Sequence, residues 1–177
     1  MSAHSWYFAY GSNMHPATFR ERRGIVPRSA LPARLVGWRL VLDKPPVLPI
    51  GEAMANLVEA PDGVVCGVAY EVTAADLAHI DLTEGVLIGN YQRVSVVVHP
   101  LGDGGTPLDA FTLASDRRDP ALRPSRRYMR LLIEGATLHG LPAEYVEWLR
   151  TIPAVEETAE AAAARALLDR ALKKEPR

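Results

Sequence analysis

Two short segments hold the residue types that acyl chemistry needs. The first, Tyr10-Gly11-Ser12-Asn13, follows directly on the aromatic run Trp6-Tyr7-Phe8-Ala9-Tyr10. Glycine lets backbone approach a ligand closely. Two or three successive N–H groups in such a loop can cup an anion or a developing oxyanion, and the Ser12 and Asn13 side chains can add bonds of their own. The same tetrapeptide also suits a plain connection from strand to helix, with Ser or Asn as the cap. The second segment is Asp81-Leu82-Thr83-Glu84-Gly85, with Gly89-Asn90-Tyr91 close behind. It puts a carboxylate where a helix meets a loop, at the negative end of the helix dipole, which disfavours the ionised form. That suits a group that must accept a proton and return it. A solvated acidic residue at a helix end is the plainer alternative.

Other reactive side chains carry less. The histidines at 4, 15, 79, 99 and 139 are scattered, and no Cys/His cluster has zinc-ligand spacing. Cys66 is the single cysteine, so no intramolecular disulfide forms; between Val65 and Gly67 it reads as a buried structural thiol. Ser12 lacks the nucleophile-elbow signature of a serine hydrolase. Arg126, Arg127 and Arg130 form a basic helix face beside Tyr128, which is either solvated surface or a phosphate contact.

Length and composition bound the scaffold that must position these groups. A chain of 177 residues with 48% hydrophobic content builds one core, with an appended tail. Extended disorder is excluded on that content. Lys+Arg 20 against Asp+Glu 21 leaves a net charge of −1, without the basic excess of a nucleic-acid binder. The first residues show no secretory signal, and no stretch of about 20 apolar residues predicts a membrane span. A soluble cytoplasmic protein is the expectation.

Periodicity and punctuation predict the elements. Trp6–Tyr10 reads as a buried strand, Pro16–Arg23 as a short helix closed by Gly24, and Ala33–Leu42 as a strand. Prolines 45, 46 and 49 make Lys44–Gly51 an irregular loop, a candidate to face an active site. Met54–Glu59 and Val64–Val72 read as a hairpin about Pro61-Asp62-Gly63. Thr73 caps a helix ended by Gly85, with Asp76 completing a capping-box variant. Tyr91–His99 alternates as a strand, Gly102–Gly105 is a turn, and Leu108–Ala114 returns. Ser125 starts a helix to about His139, Gly140 stops it, and a further helix runs to Ile152. Ala154–Lys174 is an alanine- and charge-rich helix, exposed or facing a partner, with a frayed end. This order predicts an α+β fold: a mostly antiparallel sheet, rolled into a small barrel and flanked by helices.

Taken together and in order, the motifs resemble the γ-glutamylcyclotransferase (AIG2-like) family. Tyr7-Phe8-Ala9-Tyr10-Gly11-Ser12-Asn13-Met14 resembles its opening strand and loop. Glu84-Gly85, with Tyr91 seven residues after Glu84, resembles its glutamate motif. Pro124-Ser125 leading to Tyr128, then Gly135-Ala136 and Gly140-Leu141-Pro142-Ala143-Glu144-Tyr145, resembles its closing helices. The resemblance spans residues 6–152, giving a domain at 1–152 and a C-terminal helical extension at 153–177.

The resemblance implies a compact mixed β-barrel and intramolecular aminolysis of a γ-glutamyl amide, releasing 5-oxoproline and a free amine or amino acid. It assigns Glu84 as general acid/base. It places Tyr10, Gly11, Ser12 and Asn13 around the γ-glutamyl group, with Tyr91 and Tyr128 lining the site, and it calls for no cofactor and no metal. The expected partner is a small γ-glutamyl substrate, with neither nucleic acid nor membrane. Two departures from the animal members stand out: the proline pattern of residues 45–52, which bears on the leaving group, and the alanine-rich C-terminal helix, which leaves a homodimer open. A non-catalytic module that binds a small acidic metabolite, and a hydrolase of a related amide, are the rival readings.

Overall fold

The computed structural model describes residues 4–48, 50–102 and 105–171. Five strands close into a barrel: β1 (His4–Ala9), β2 (Ser29–Lys44), β3 (Met54–Thr73), β4 (Gln92–Pro100) and β5 (Leu108–Ala114). Their spatial order is β1-β3-β2-β4-β5. Neighbours pair antiparallel, except where β1 meets β5 in parallel at Trp6–Ala110 and Tyr7–Phe111 and closes the barrel. Four helices flank it: α1 (Ala74–Glu84), α2 (Arg126–Leu138), α3 (Ala143–Thr151) and α4 (Ala159–Ala171). This is the small, mostly antiparallel mixed barrel that the sequence predicts. Closure leaves little exposed strand edge, and it gathers Phe8, Leu35, Val65, Val68 and Val98 into one core.

Local sequence explains most elements. On β4, Val96 and Val98 turn inward while Val97 is 49% exposed, as alternation requires. The Thr73 hydroxyl accepts from the Asp76 amide at 3.1 Å and donates to its carboxylate at 2.7 Å, so the capping box forms. Ser125 accepts the Tyr128 amide at the start of α2. Gly135 lets α2 lie directly on the loop after β1: a Cβ there would stand 2.9 Å from backbone atoms of Met14 and His15.

Three readings change. The expected hairpin about Pro61-Asp62-Gly63 does not form. Residues on both sides of it belong to β3 and pair with the same strand, β2, from Val36↔Val64 on one side to Trp38↔Glu59 on the other. A tight two-residue hairpin turn of the primed type needs positive φ at Asp62 or Gly63, and neither has it. The segment instead bulges opposite Gly37, whose φ is +84°. The helix expected over residues 16–23 is a widened π-type turn, Ala17–Arg22, in which the Arg23 amide reaches back to the Thr18 carbonyl at 3.1 Å. The C-terminal helix starts at Ala159 and not at Ala154, because Thr158 caps it and Val155 bridges to Ser125 in extended form. Asp103 and Gly104, the centre of the predicted turn after β4, and residues 172–177 lie outside the described residues.

Candidate active site

Glu84 is the last residue of α1, where Gly85 takes the left-handed conformation (φ +72°) and turns the chain out. A single turn of 3-10 helix then leads to Gly89, Asn90 and Tyr91. The Asn90 side-chain amide donates to the Glu84 carbonyl at 2.8 Å and ties this loop back to the helix end. Across the barrel mouth, β1 ends at Ala9 and Ser12–Met14 form one 3-10 turn. The Ser12 and Asn13 N–H groups open that turn and have no carbonyl partner within it.

The two segments meet at the Glu84 carboxylate. Asn13 Nδ2 donates to Glu84 Oε1 at 2.9 Å and to the Tyr7 hydroxyl at 2.9 Å. Arg23 Nη2 donates to the same Oε1 at 2.6 Å, while its Nε donates to Asn13 Oδ1 at 2.8 Å. Arg23 also donates to Thr83 Oγ1. The guanidinium and carboxylate side chains are 7% and 18% exposed, so this ion pair works largely shielded from water. Both donors act on Oε1, and among the described residues no hydrogen bond engages Oε2.

Tyrosines form the far wall. One peptide unit positions two of them: the Ala55 amide donates to the Tyr128 hydroxyl at 3.1 Å, and the Tyr91 hydroxyl donates to the Ala55 carbonyl at 2.7 Å. The Tyr10 hydroxyl donates to the Leu113 carbonyl at 2.5 Å. Burial, as the largest cause, holds Tyr10 and Tyr91 well above the usual phenol range and pushes Tyr128 up to about 12. All three are therefore neutral hydroxyls at any physiological pH.

These groups enclose a cavity of about 200 Å³. The structure brings all seven residues singled out in the sequence to its wall: Tyr10, Gly11, Ser12, Asn13, Glu84, Tyr91 and Tyr128. The proline-rich loop faces it too, through Pro46, Val47 and Ile50. Sequence reasoning missed Arg23 and Lys44, which belong to no motif. Position gives a partial signal: Arg23 immediately precedes Gly24 (φ +63°), and Lys44 opens the proline loop. It also missed the contribution of α4, whose Arg165, Leu168 and Asp169 reach the same cavity. Ion pairs tie that helix and the segment before it down: Arg22 to Asp169 at 3.0 Å, and Arg127 and Arg165 to Glu157 at 2.9 and 3.0 Å. Arg127 thus spends its charge on a neighbouring carboxylate.

Gly11 is required by space and not by its backbone angles, since its φ is −114°. A Cβ would stand 3.2 Å from both the Ala55 Cβ and the Tyr128 hydroxyl. Gly11→Ala is therefore expected to displace that hydroxyl by a few tenths of an ångström, for a loss on the order of tenfold in kcat/KM. Steady-state kinetics beside an unchanged circular dichroism spectrum would check it.

The closed barrel with its flanking helices is the fold of γ-glutamylcyclotransferases. The AIG2-like family model matches residues 64–149. The chain is 34% identical over 164 residues to the γ-glutamyl cyclotransferase aclK of Aspergillus oryzae, covering 82% of this chain and 60% of that protein. It is 29% identical to the γ-glutamylcyclotransferase of Bos taurus, covering 82% of this chain and 77% of the relative. Among solved structures, one titled γ-glutamyl cyclotransferase superposes with a TM-score of 0.74 at 24% identity, covering 93% of this chain and 99% of that one. An uncharacterized human protein superposes with a TM-score of 0.77 at 25% identity, covering 98% of this chain and all of that one. The chain is thus similar in sequence and fold to the γ-glutamylcyclotransferase/AIG2-like family. It spans 60% of the length of its Aspergillus relative. No described helix is long and apolar enough to cross a membrane.

Proposed function

We propose that the protein cyclises a γ-glutamyl amide, releasing 5-oxoproline and a free amine or amino acid. The observation that carries this reading is the state of Glu84: Asn13 and Arg23 fix the carboxylate through Oε1, and among the described residues none bonds Oε2, at the wall of a small cavity. A carboxylate held in this way can take a proton from one nitrogen and deliver it to another.

The substrate supplies its own nucleophile. Its α-amine attacks the γ-carbonyl carbon, forming the ring C–N bond. Glu84 accepts the proton that the amine loses. The C–N bond to the leaving group then breaks, and Glu84 returns the proton to the departing nitrogen. Ring closure within one molecule needs the bent conformer above all, so a snug wall of rigid tyrosines supplies much of the rate. In this reading the Asn13 N–H, at the start of the Ser12–Met14 turn, serves the oxyanion at the γ-carbon, a contribution of about 3 kcal/mol for a well-placed donor, while the Ser12 N–H is given to the Tyr128 hydroxyl.

Incubation of the purified protein with γ-glutamyl amino acids, γ-glutamyl-ε-lysine and glutathione, followed by mass spectrometry, tests the reading. Release of 5-oxoproline from at least one substrate is expected. Release of glutamate in its place would mean that water, not the α-amine, attacks.

A further inference from the structure

One end of the cavity carries positive charge that the cyclisation does not use. Lys44, the last residue of β2, has no solvent exposure. Its ammonium finds only neutral partners: the Pro45 carbonyl at 2.8 Å, Asn90 Oδ1 at 2.5 Å, and the Tyr91 ring face, 4.4 Å to the centroid. Arg117 Nη1 donates to the same Asn90 Oδ1 at 2.9 Å. Among the described residues neither cation forms an ion pair with a carboxylate. Two cations thus converge on one amide oxygen, and the ammonium, with three donors, has used two of them on oxygen.

The placement of this pair is fixed relative to Glu84. Asn90 accepts from the cations through Oδ1 and donates to the Glu84 carbonyl through Nδ2 at 2.8 Å. Its amide is a rigid spacer between the charge and the proposed acid/base. Lys44 lies in the same cavity wall as Glu84. Glu84 acts on Lys44 through space, but a buried ammonium with no carboxylate in direct contact is suited to one brought by a ligand.

The geometry points to Lys44, backed by Arg117, as the seat of a substrate carboxylate. The inference rests on the γ-glutamyl reading above and adds a specificity residue to it. A γ-glutamyl amino acid offers two such groups, the α-carboxylate of its glutamyl part and the carboxylate of its leaving group. Burial, with Arg117 as the second cause, pushes the Lys44 ammonium down to about 8, and the charge of a bound anion would act in the opposite sense.

Kinetics of wild type, Lys44→Met and Arg117→Met on γ-glutamylalanine and γ-glutamylethylamine test it. The second substrate lacks the leaving-group carboxylate. Lys44→Met is expected to raise KM on the order of 10- to 100-fold, the value of a lost charge-assisted bond, with kcat changed less than about threefold. Arg117→Met, at an exposed position, moves KM in the same direction by less. A rise for γ-glutamylalanine alone assigns the leaving-group carboxylate to Lys44; equal rises for both substrates assign the glutamyl carboxylate. An unchanged KM for both overturns the inference. Calorimetric titration with glutarate separates this from failure of the enzymatic reading. If no γ-glutamyl compound turns over but glutarate binds wild type and not Lys44→Met, the carboxylate seat stands without the reaction. Equal glutarate affinities would remove the seat as well.

Discussion

Glu84→Gln is expected to lower kcat for 5-oxoproline release by about 10³-fold, within the range that a positioned acid/base contributes. KM should barely move, because the change removes a proton exchange that matters in the transition state and leaves the cavity wall in place. Glutamine preserves volume, and its carbonyl oxygen can still accept from Asn13 and Arg23, which both reach Oε1 in the native protein. The cost to the fold is the weakened pairing of a nearly buried guanidinium, about 1–3 kcal/mol, so the variant should remain folded at assay temperature. Kinetics beside a thermal melt would separate the two effects. Activity within tenfold of wild type would exclude Glu84 as the proton carrier. The role would then pass to Glu52, a buried carboxylate in the same cavity wall, whose Oε1 has no hydrogen-bond partner among the described residues.

The parts of this protein that were legible in its sequence are those set by neighbours along the chain. The Thr73 cap, the Gly85 exit and the alternation of β4 depend on residues two to twelve positions apart, and each forms as read. Tyr10-Gly11-Ser12-Asn13 and Glu84 were visible because each combines a glycine with a reactive group. What was not legible depends on partners far apart. The Arg23–Glu84 contact spans 61 positions and Lys44–Asn90 spans 46, so the neighbours of each cation, Gly24 and the proline loop, mark only its place and not its partner. Pro61-Asp62-Gly63 misled for the related reason that a local turn signal competes with strand pairing. Pairing of both flanks to the long β2 strand wins, and the tripeptide is absorbed as a bulge. Residues after 153 read as an appendage by composition, yet their contacts with Arg22 and Arg127 bring α4 to the cavity.

Lys44→Met should stabilise the protein at neutral pH even as it weakens substrate binding. The sign follows from the direction of the shift. The Lys44 ammonium lies at about 8 against an ordinary 10.5, so the folded state holds its proton less tightly than the unfolded chain. The penalty is complete below pH 8. Between pH 8 and 10.5 the unfolded state binds more protons, and wild-type stability from this group rises with pH. At about 1.4 kcal/mol per pKa unit the full penalty is about 3 kcal/mol. Methionine fills a similar volume without charge, and the Pro45 carbonyl left without its donor offsets about 1 kcal/mol. A net gain of about 2 kcal/mol corresponds to a rise in Tm of roughly 4–8 °C for a chain of this size. Urea unfolding at pH 7 and pH 10.5 gives the reading, with the gain of Lys44→Met expected to shrink at the higher pH. A variant less stable than wild type at pH 7 would mean that the contacts with Asn90 and the Tyr91 ring outweigh desolvation. A stabilising loss of charge paired with a raised KM would show a buried cation retained for the ligand at the expense of the fold, the trade that active sites make.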